Sequence, residues 1–178
     1  DALKKFWLID PIDGTYDYIN NKDEFTLNAA LIINNKPIIG IINAPAKERF
    51  FYSYGLSNSY EITNNSKIEL FNKKKQNNEM KAVSYSNELK PEILEIHKKN
   101  KITSFKKMKS SLKFCVVASG EFDLYAAEPR AFEWDIAAGH AILEHAGGTI
   151  TDFFDKEILY GKKDFRNTSL IIKSKNIK

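Results

Sequence analysis

A chain of 178 residues, 43% hydrophobic and 12% aromatic, has the apolar mass to bury a core as one domain or two small ones, which excludes a disordered or low-complexity segment. Its 27 Lys and Arg nearly balance 23 Asp and Glu, leaving a net charge of +4 with the lysines scattered; this argues against a nucleic-acid polymer as partner and for a small anionic substrate. No run reaches the roughly 18 apolar residues of a membrane span, the N-terminus lacks a signal-peptide pattern and one cysteine allows no internal disulfide, so a soluble cytoplasmic protein is expected.

The first predicted element is Phe6-Trp7-Leu8-Ile9-Asp10, an apolar run read as a buried strand that Pro11 stops and Gly14 turns. Asp10 and Asp13 are thereby left at a strand mouth, where two carboxylates and the Ile12 carbonyl can converge on a hard divalent cation such as Mg2+. Thr15 adds a hydroxyl that can orient a water, and a helical turn from Gly14 offers backbone N–H groups to an anion. Tyr16 to Asn21 fits that short turn. Glu24 to Ile33 and Ile38 to Asn43 read as hairpin strands around Asn34-Asn35-Lys36-Pro37, and Arg49 to Tyr54 as a third strand ended by Gly55. Thr63 to Asn78 is a polar connection enclosing a short strand from Lys67 to Phe71; its run Lys73-Lys74-Lys75 reads as a solvated loop. The boundary between halves falls at residue 77, giving domains 1–77 and 78–178.

The second half opens with a strand from Lys81 to Ser84, a helix from Lys90 to Lys99 with Pro91 in its first turn and His97 exposed, and a strand from Ile102 to Lys107. Ser110 to Ala118 is an apolar helix opened by two hydroxyls and Lys113, the lysine reading either as an exposed first-turn residue or as a substrate contact. Ser110 or Ser111 serves as an N-cap or contacts a substrate, and the two roles are compatible. A lysine near a helix start opposes the dipole, so a bound anion would rationalise it. Cys115 reads as a buried, inert thiol. Phe122 to Tyr125 is a short strand and Ala126 to Phe132 irregular. Asp135 is placed as the N-cap of a helix that Gly147-Gly148 ends, and Ala137, Ala138 and Gly139 let that helix approach its neighbours closely. His140 and His145 miss the i, i+4 spacing of a helical metal pair. Thr149 to Phe153 and Ser169 to Lys173 are closing strands.

The string Asp-Pro-x-Asp-Gly-Thr at residues 10–15, followed by Trp-Asp-x-Ala-Ala-Gly at 134–139 and Ala146-Gly147-Gly148, resembles the paired signatures of the inositol monophosphatase-like superfamily of Mg2+-dependent phosphatases. Within it, Phe6 to Thr15, Glu24-Phe25-Thr26-Leu27-Asn28 and Ser110-Ser111-Leu112-Lys113-Phe114-Cys115 are most similar to the CysQ-type 3'(2'),5'-bisphosphate nucleotidases. The resemblance implies an α/β (layered α+β) sugar phosphatase fold of two sheets with intervening helices. Domain 1–77 would hold the first metal motif on an antiparallel sheet and domain 78–178 the second. It implies Asp10, Asp13, Asp135 and the Ile12 carbonyl as ligands of two or three Mg2+ ions, and Asp10, Asp13, Thr15 and Asp135 as the catalytic set. Gly14, Thr15, Ser110, Ser111 and Lys113 would contact substrate.

The implied reaction removes the 3'-phosphate of adenosine 3',5'-bisphosphate, leaving AMP. Its alternatives are an inositol monophosphatase or other sugar phosphatase, and a non-catalytic remnant. The resemblance further implies N-terminal helices, an acidic Glu-Glu segment and a water-activating Asp upstream of Asp1; the expectation is therefore three carboxylate ligands, a sheet lacking those helices and feeble activity. Two positions depart from the pattern: Lys109 stands where a glycine is usual, and Ala126-Ala127 where Pro-Arg is common.

Overall fold

Burial in the first half alternates with period two, the mark of a sheet with one covered face. In the computed structural model, which describes residues 4–55, 58–70 and 79–177, six strands pair in chain order as one antiparallel sheet: β1 (Lys5–Asp13), β2 (Thr26–Ile33), β3 (Lys36–Ala44), β4 (Arg49–Tyr54), β5 (Tyr60–Thr63) and β6 (Ser66–Glu69). Thr26, Asn28, Ala30 and Ile32 of β2 all turn to the buried face. Two of the hairpins turn on Asn-Asn pairs, Asn34-Asn35 and Asn64-Asn65, with φ between 48° and 64°. Primed hairpin turns require that left-handed backbone, and Asn tolerates it. The second pair corrects the sequence reading: the stretch from Thr63 is a hairpin return rather than an open connection. The expected boundary at 77, the run Lys73-Lys74-Lys75 and the predicted strand end at Phe71 lie outside the described residues.

The second sheet has the order β10-β11-β9-β7-β8, from β7 (Met80–Ser84), β8 (Ile102–Lys107), β9 (Leu124–Ala127), β10 (Thr149–Thr151) and β11 (Leu170–Lys173). β7 runs parallel to β8 and β9, and the other pairs are antiparallel. Both its faces are covered. Ala82, Leu124 and Ala126 pack with Ile93 of α2 (Pro91–Lys99), whereas Val83, Tyr125 and Ala127 belong to the main core. That core is filled by α3 (Leu112–Ala118) and α4 (Glu133–His145), which lie between the sheets; α4 touches β1 to β4 and β10, and α3 touches β9, β11 and α4. Every residue of α3 is buried, as is α4 from Ile136 to Leu143, so neither shows an amphipathic stripe.

Two expectations change here. His97 is buried against Phe105, ring centroids 6.0 Å apart, because the last turn of α2 folds onto β8; burial pushes its pKa down. β9 runs on to Ala127, two residues past the predicted end, since Ala126 and Ala127 each face a core. Among the described residues no helix is long and apolar enough to cross a membrane.

Candidate metal and phosphate site

The site begins with an irregularity in β1. Pairing with β2 is regular from Lys5↔Ile33 to Asp10↔Asn28, then shifts so that Asp13 faces Thr26. Three steps along β1 answer two along β2, so one extra residue forms a bulge. Residues three apart on a regular strand point to opposite faces; the extra residue reverses that phase. Carboxylate oxygens of Asp10, Asp13 and Asp135 thereby come within 4.8 Å of one another. Pro11 sits in the bulge of an edge strand, where its missing N–H breaks no ladder bond. The expected stop at Pro11 is thus a bulge, and the strand continues to Asp13.

The turn that follows is fixed by its backbone. Ile12 N–H donates to Asp10 Oδ1 at 3.1 Å, and Thr15 Oγ1 donates to the Ile12 carbonyl at 3.0 Å. Gly14 has φ +87°, and a Cβ there would lie 2.6 Å from the Glu24 carbonyl oxygen. Glycine is required on both counts. The chain then winds into the single turn α1 (Thr15–Ile19).

Asp135 arrives from α4. The helix starts three residues earlier than predicted, with Phe132 at the N-cap and Asp135 in the third helical position. Its Oδ2 accepts the Phe132 N–H at 2.7 Å, closing the turn from inside rather than capping it from outside. Ser111, just before α3, joins the three elements. Its Oγ lies 2.7 Å from Asp13 Oδ2 and 2.6 Å from the Asp135 carbonyl oxygen, with one proton to give, and it accepts from Asn28 Nδ2 at 2.9 Å. Ser110 adopts φ +54° and its carbonyl accepts from Lys113 Nζ. Neither serine makes a regular side-chain cap.

Of the two readings of Lys113, the structure removes the exposed one and leaves the lysine on the cavity wall. It is 7% exposed, because α3 is enclosed on all sides and its lysine can leave only toward the cavity. Burial pushes its ammonium down to about 8; the charge of Asp13 opposes that shift and Arg130 adds to it. Asp13, Gly14, Thr15, Ser110, Ser111, Lys113 and Asp135 all line one cavity of about 500 Å³. Asp10 joins through the carboxylate cluster and Ile12 through its two hydrogen bonds.

Asp10 and Asp135 resist ionising beside Asp13. Burial, then the charge of Asp13 and finally Asp135 push Asp10 up to about 6, and burial likewise raises Asp135. A hard divalent cation relieves this, and the donor set of three carboxylates with a neighbouring carbonyl fits one. The sign follows from Asp10. A carboxyl whose folded pKa lies above its unfolded value of 3.8 contributes stability below that value and loses it as pH rises through about 6. In EDTA at pH 7.5, Asp10→Asn should therefore raise Tm by roughly 2 to 6 °C and shrink the rise in Tm expected when a divalent cation is added to the parent. Scanning fluorimetry decides; a mutant Tm at or below the parent's in EDTA would refute repulsion at this site.

Residues 3–178 match the model of the inositol monophosphatase family. The chain belongs to that family. It is 39% identical over 153 residues to the 3'(2'),5'-bisphosphate nucleotidase CysQ of Buchnera aphidicola, covering 82% of this chain and 54% of that protein. Against the CysQ of Escherichia coli K12 it is 34% identical over 165 residues, 90% of this chain and 64% of that one. The chain thus spans between about half and two thirds of these curated relatives. Among solved structures, CysQ from Bacteroides thetaiotaomicron superposes with a TM-score of 0.83 at 29% identity, covering 97% of this chain and 70% of that one. The 2'AMP-bound SaIMPase-II shares the fold with a TM-score of 0.78 at 22% identity, covering 99% of this chain and 66% of that one.

The inositol monophosphatase fold here also uses residues that sequence reasoning passed over. Glu133 is wholly buried at the first position of α4; Oε2 accepts Gly161 N–H at 2.8 Å, and Oε1 accepts Lys162 N–H at 3.0 Å and Lys162 Nζ at 2.7 Å. It anchors the helix start that carries Asp135. The available signal was an acid in the first helical turn beside Trp134-Asp135. Asn28, a polar residue on the covered face of β2, holds Ser111 and through it Asp13.

Proposed function

We propose that this chain carries the centre of a Mg2+-dependent phosphate monoester hydrolase that removes the 3'-phosphate of adenosine 3',5'-bisphosphate, releasing phosphate and AMP. The observation that carries the reading is the convergence of Asp10, Asp13 and Asp135 at a nucleotide-sized cavity whose other wall bears Lys109, Lys113 and Arg130. The names of the CysQ relatives support the substrate class. We read residues 1–77 and 78–178 as two domains, with Asp10 and Asp13 from the first and Asp135 from the second. We place the reaction in the cytoplasm, where the buried free thiol of Cys115 would stay reduced.

Asp10, Asp13, Asp135 and the Ile12 carbonyl would hold the Mg2+, two or three ions in the complete site. Bound there, the cation supplies Lewis-acid charge to the phosphate oxygens and the departing 3'-oxygen. Thr15 gives its proton to the Ile12 carbonyl, so its oxygen lone pairs are free to accept from a water and aim it at phosphorus in line with the leaving oxygen. Water oxygen bonds to phosphorus and gives up a proton, the P–O3' bond breaks, and the released 3'-oxygen takes a proton in turn, so phosphate and AMP form with no net proton left behind. Gly14 lets the backbone approach this position, and protonated Lys113 adds positive charge beside Asp13 below about pH 8. Ser110 and Ser111 shape the wall, Ser111 chiefly by orienting Asp13.

The test is phosphate release from adenosine 3',5'-bisphosphate and from inositol 1-phosphate, with and without Mg2+, on the polypeptide carrying this sequence. Release should need Mg2+ and be roughly tenfold or more faster from the bisphosphate, since a site built for an extra charged group discriminates against its absence. Faster release from inositol 1-phosphate would overturn the substrate, and none from either would overturn the reading.

A further inference from the structure

The cavity has a basic wall that the carboxylate cluster does not account for. Three cations line it, Lys109, Lys113 and Arg130. Lys109 is engaged, with Nζ 3.1 Å from the buried carboxylate of Asp17. Lys113 Nζ donates to the Ser110 carbonyl. Arg130 differs: among the described residues it makes no ion pair, and the acid two residues before it, Glu128, is held by Lys90 at 2.5 Å. Its guanidinium instead stacks on Tyr85, with Cζ 3.4 Å from the ring centroid. At that spacing only the flat face of the guanidinium meets the ring, so the N–H groups at its edge stay available. Those edge donors match two phosphate oxygens. The charge also reaches inward, acting on both Lys113 and Tyr125 at the cavity wall.

We propose that Arg130, held by Tyr85, seats a second anionic group of the substrate: a phosphate that is not cleaved, gripped by the guanidinium edge while the scissile phosphate lies at Asp10, Asp13 and Asp135. The proposal rests on the phosphomonoesterase reading and assigns to Arg130 the phosphate of that substrate which is not cleaved. It gives Arg130 a specificity role, and Tyr85 a positioning one.

Binding tests this without catalysis. In EDTA the acidic cluster has no cation with which to attract phosphate, so AMP and adenosine differ as ligands only through the basic wall. By calorimetry the parent should bind AMP roughly tenfold or more tighter than adenosine, Arg130→Ala should erase that gap, and Arg130→Lys, which keeps charge but loses the fork, should keep part of it. Arg130 is exposed, so the variants should melt with the parent. In turnover, Arg130→Ala should raise KM for adenosine 3',5'-bisphosphate roughly 10- to 100-fold and change kcat/KM for adenosine 3'-monophosphate less than about threefold. A gap that survives in Arg130→Ala, no gap in the parent, or equal losses on both substrates would overturn the proposal. If the parent releases no phosphate at all, the phosphomonoesterase reading falls, and the AMP and adenosine comparison still decides Arg130.

Discussion

Asp13→Asn should lower phosphate release by roughly 10³-fold or more while leaving the fold intact, because Asp13 is the acid on which the others converge. It raises the pKa of both Asp10 and Asp135, pulls on the Lys113 ammonium, and is the one carboxylate of the three that Ser111 orients. An asparagine keeps the shape and can still accept from Ser111 Oγ, so packing survives and only the negative charge goes. Removing that charge weakens the cluster's hold on a divalent cation and leaves the scissile phosphate without a fixed partner. Two measurements decide: phosphate release under saturating Mg2+, and Mg2+ affinity by calorimetry. A variant within tenfold of the parent in both would move the weight to a non-catalytic reading of the fold.

How the chemistry was legible and the geometry was not is clearest in β1. Asp10 and Asp13 around Pro11, with Gly14 after them, offer a candidate cation-binding turn by residue type, and the likeness of the whole string to the family signature separates it from an ordinary turn. Pro11, however, reads as a strand stop in one dimension; that it sits in a bulge depends on β2, whose register lies more than a dozen residues away. The same holds for Lys113. Local chemistry gives a first-turn lysine to solvent, but α3 is packed against β9, β11 and α4 with every residue buried, a fact no local pattern carries. Asp135 is legible in its string but lies three positions further into the helix than expected, because the aromatic Phe132 is a poor N-cap by type and Asp135 reaches back to close the turn itself. Glu133 was missed outright, since its partners at Gly161 and Lys162 follow 28 and 29 residues later. Hairpins set by Asn34-Asn35 and strands such as Arg49–Tyr54 needed only neighbours, and those were legible.

Gly40→Ala should be among the most damaging single changes away from the acids. The small residues Ala137, Ala138 and Gly139 announce a helix that packs closely, and the surface they meet includes β3, where Gly40 lies between Ala30 and Ser53 on the neighbouring strands. A Cβ at Gly40 would stand 2.3 Å from the Ala138 carbonyl oxygen and 2.9 Å from the Ala141 Cβ. The first of these is backbone, so no rotamer change relieves it and α4 must lift from the sheet. Overpacking of this kind costs about 3 kcal/mol, which for a chain of this size lowers Tm by roughly 6 to 12 °C. The lift has a second consequence. α4 carries Asp135 in its first turn, whereas Asp10 and Asp13 ride on the sheet it leaves, so the three carboxylates should separate. Mg2+ affinity should therefore fall in Gly40→Ala even at temperatures where the protein is fully folded, though the substitution touches no acid. Thermal melting and calorimetry on the same sample check both halves: a Tm within 2 °C of the parent would mean that α4 slides without cost, and a lowered Tm with unchanged Mg2+ affinity would mean that the helix start is held in place independently, by Glu133 on the Gly161–Lys162 backbone.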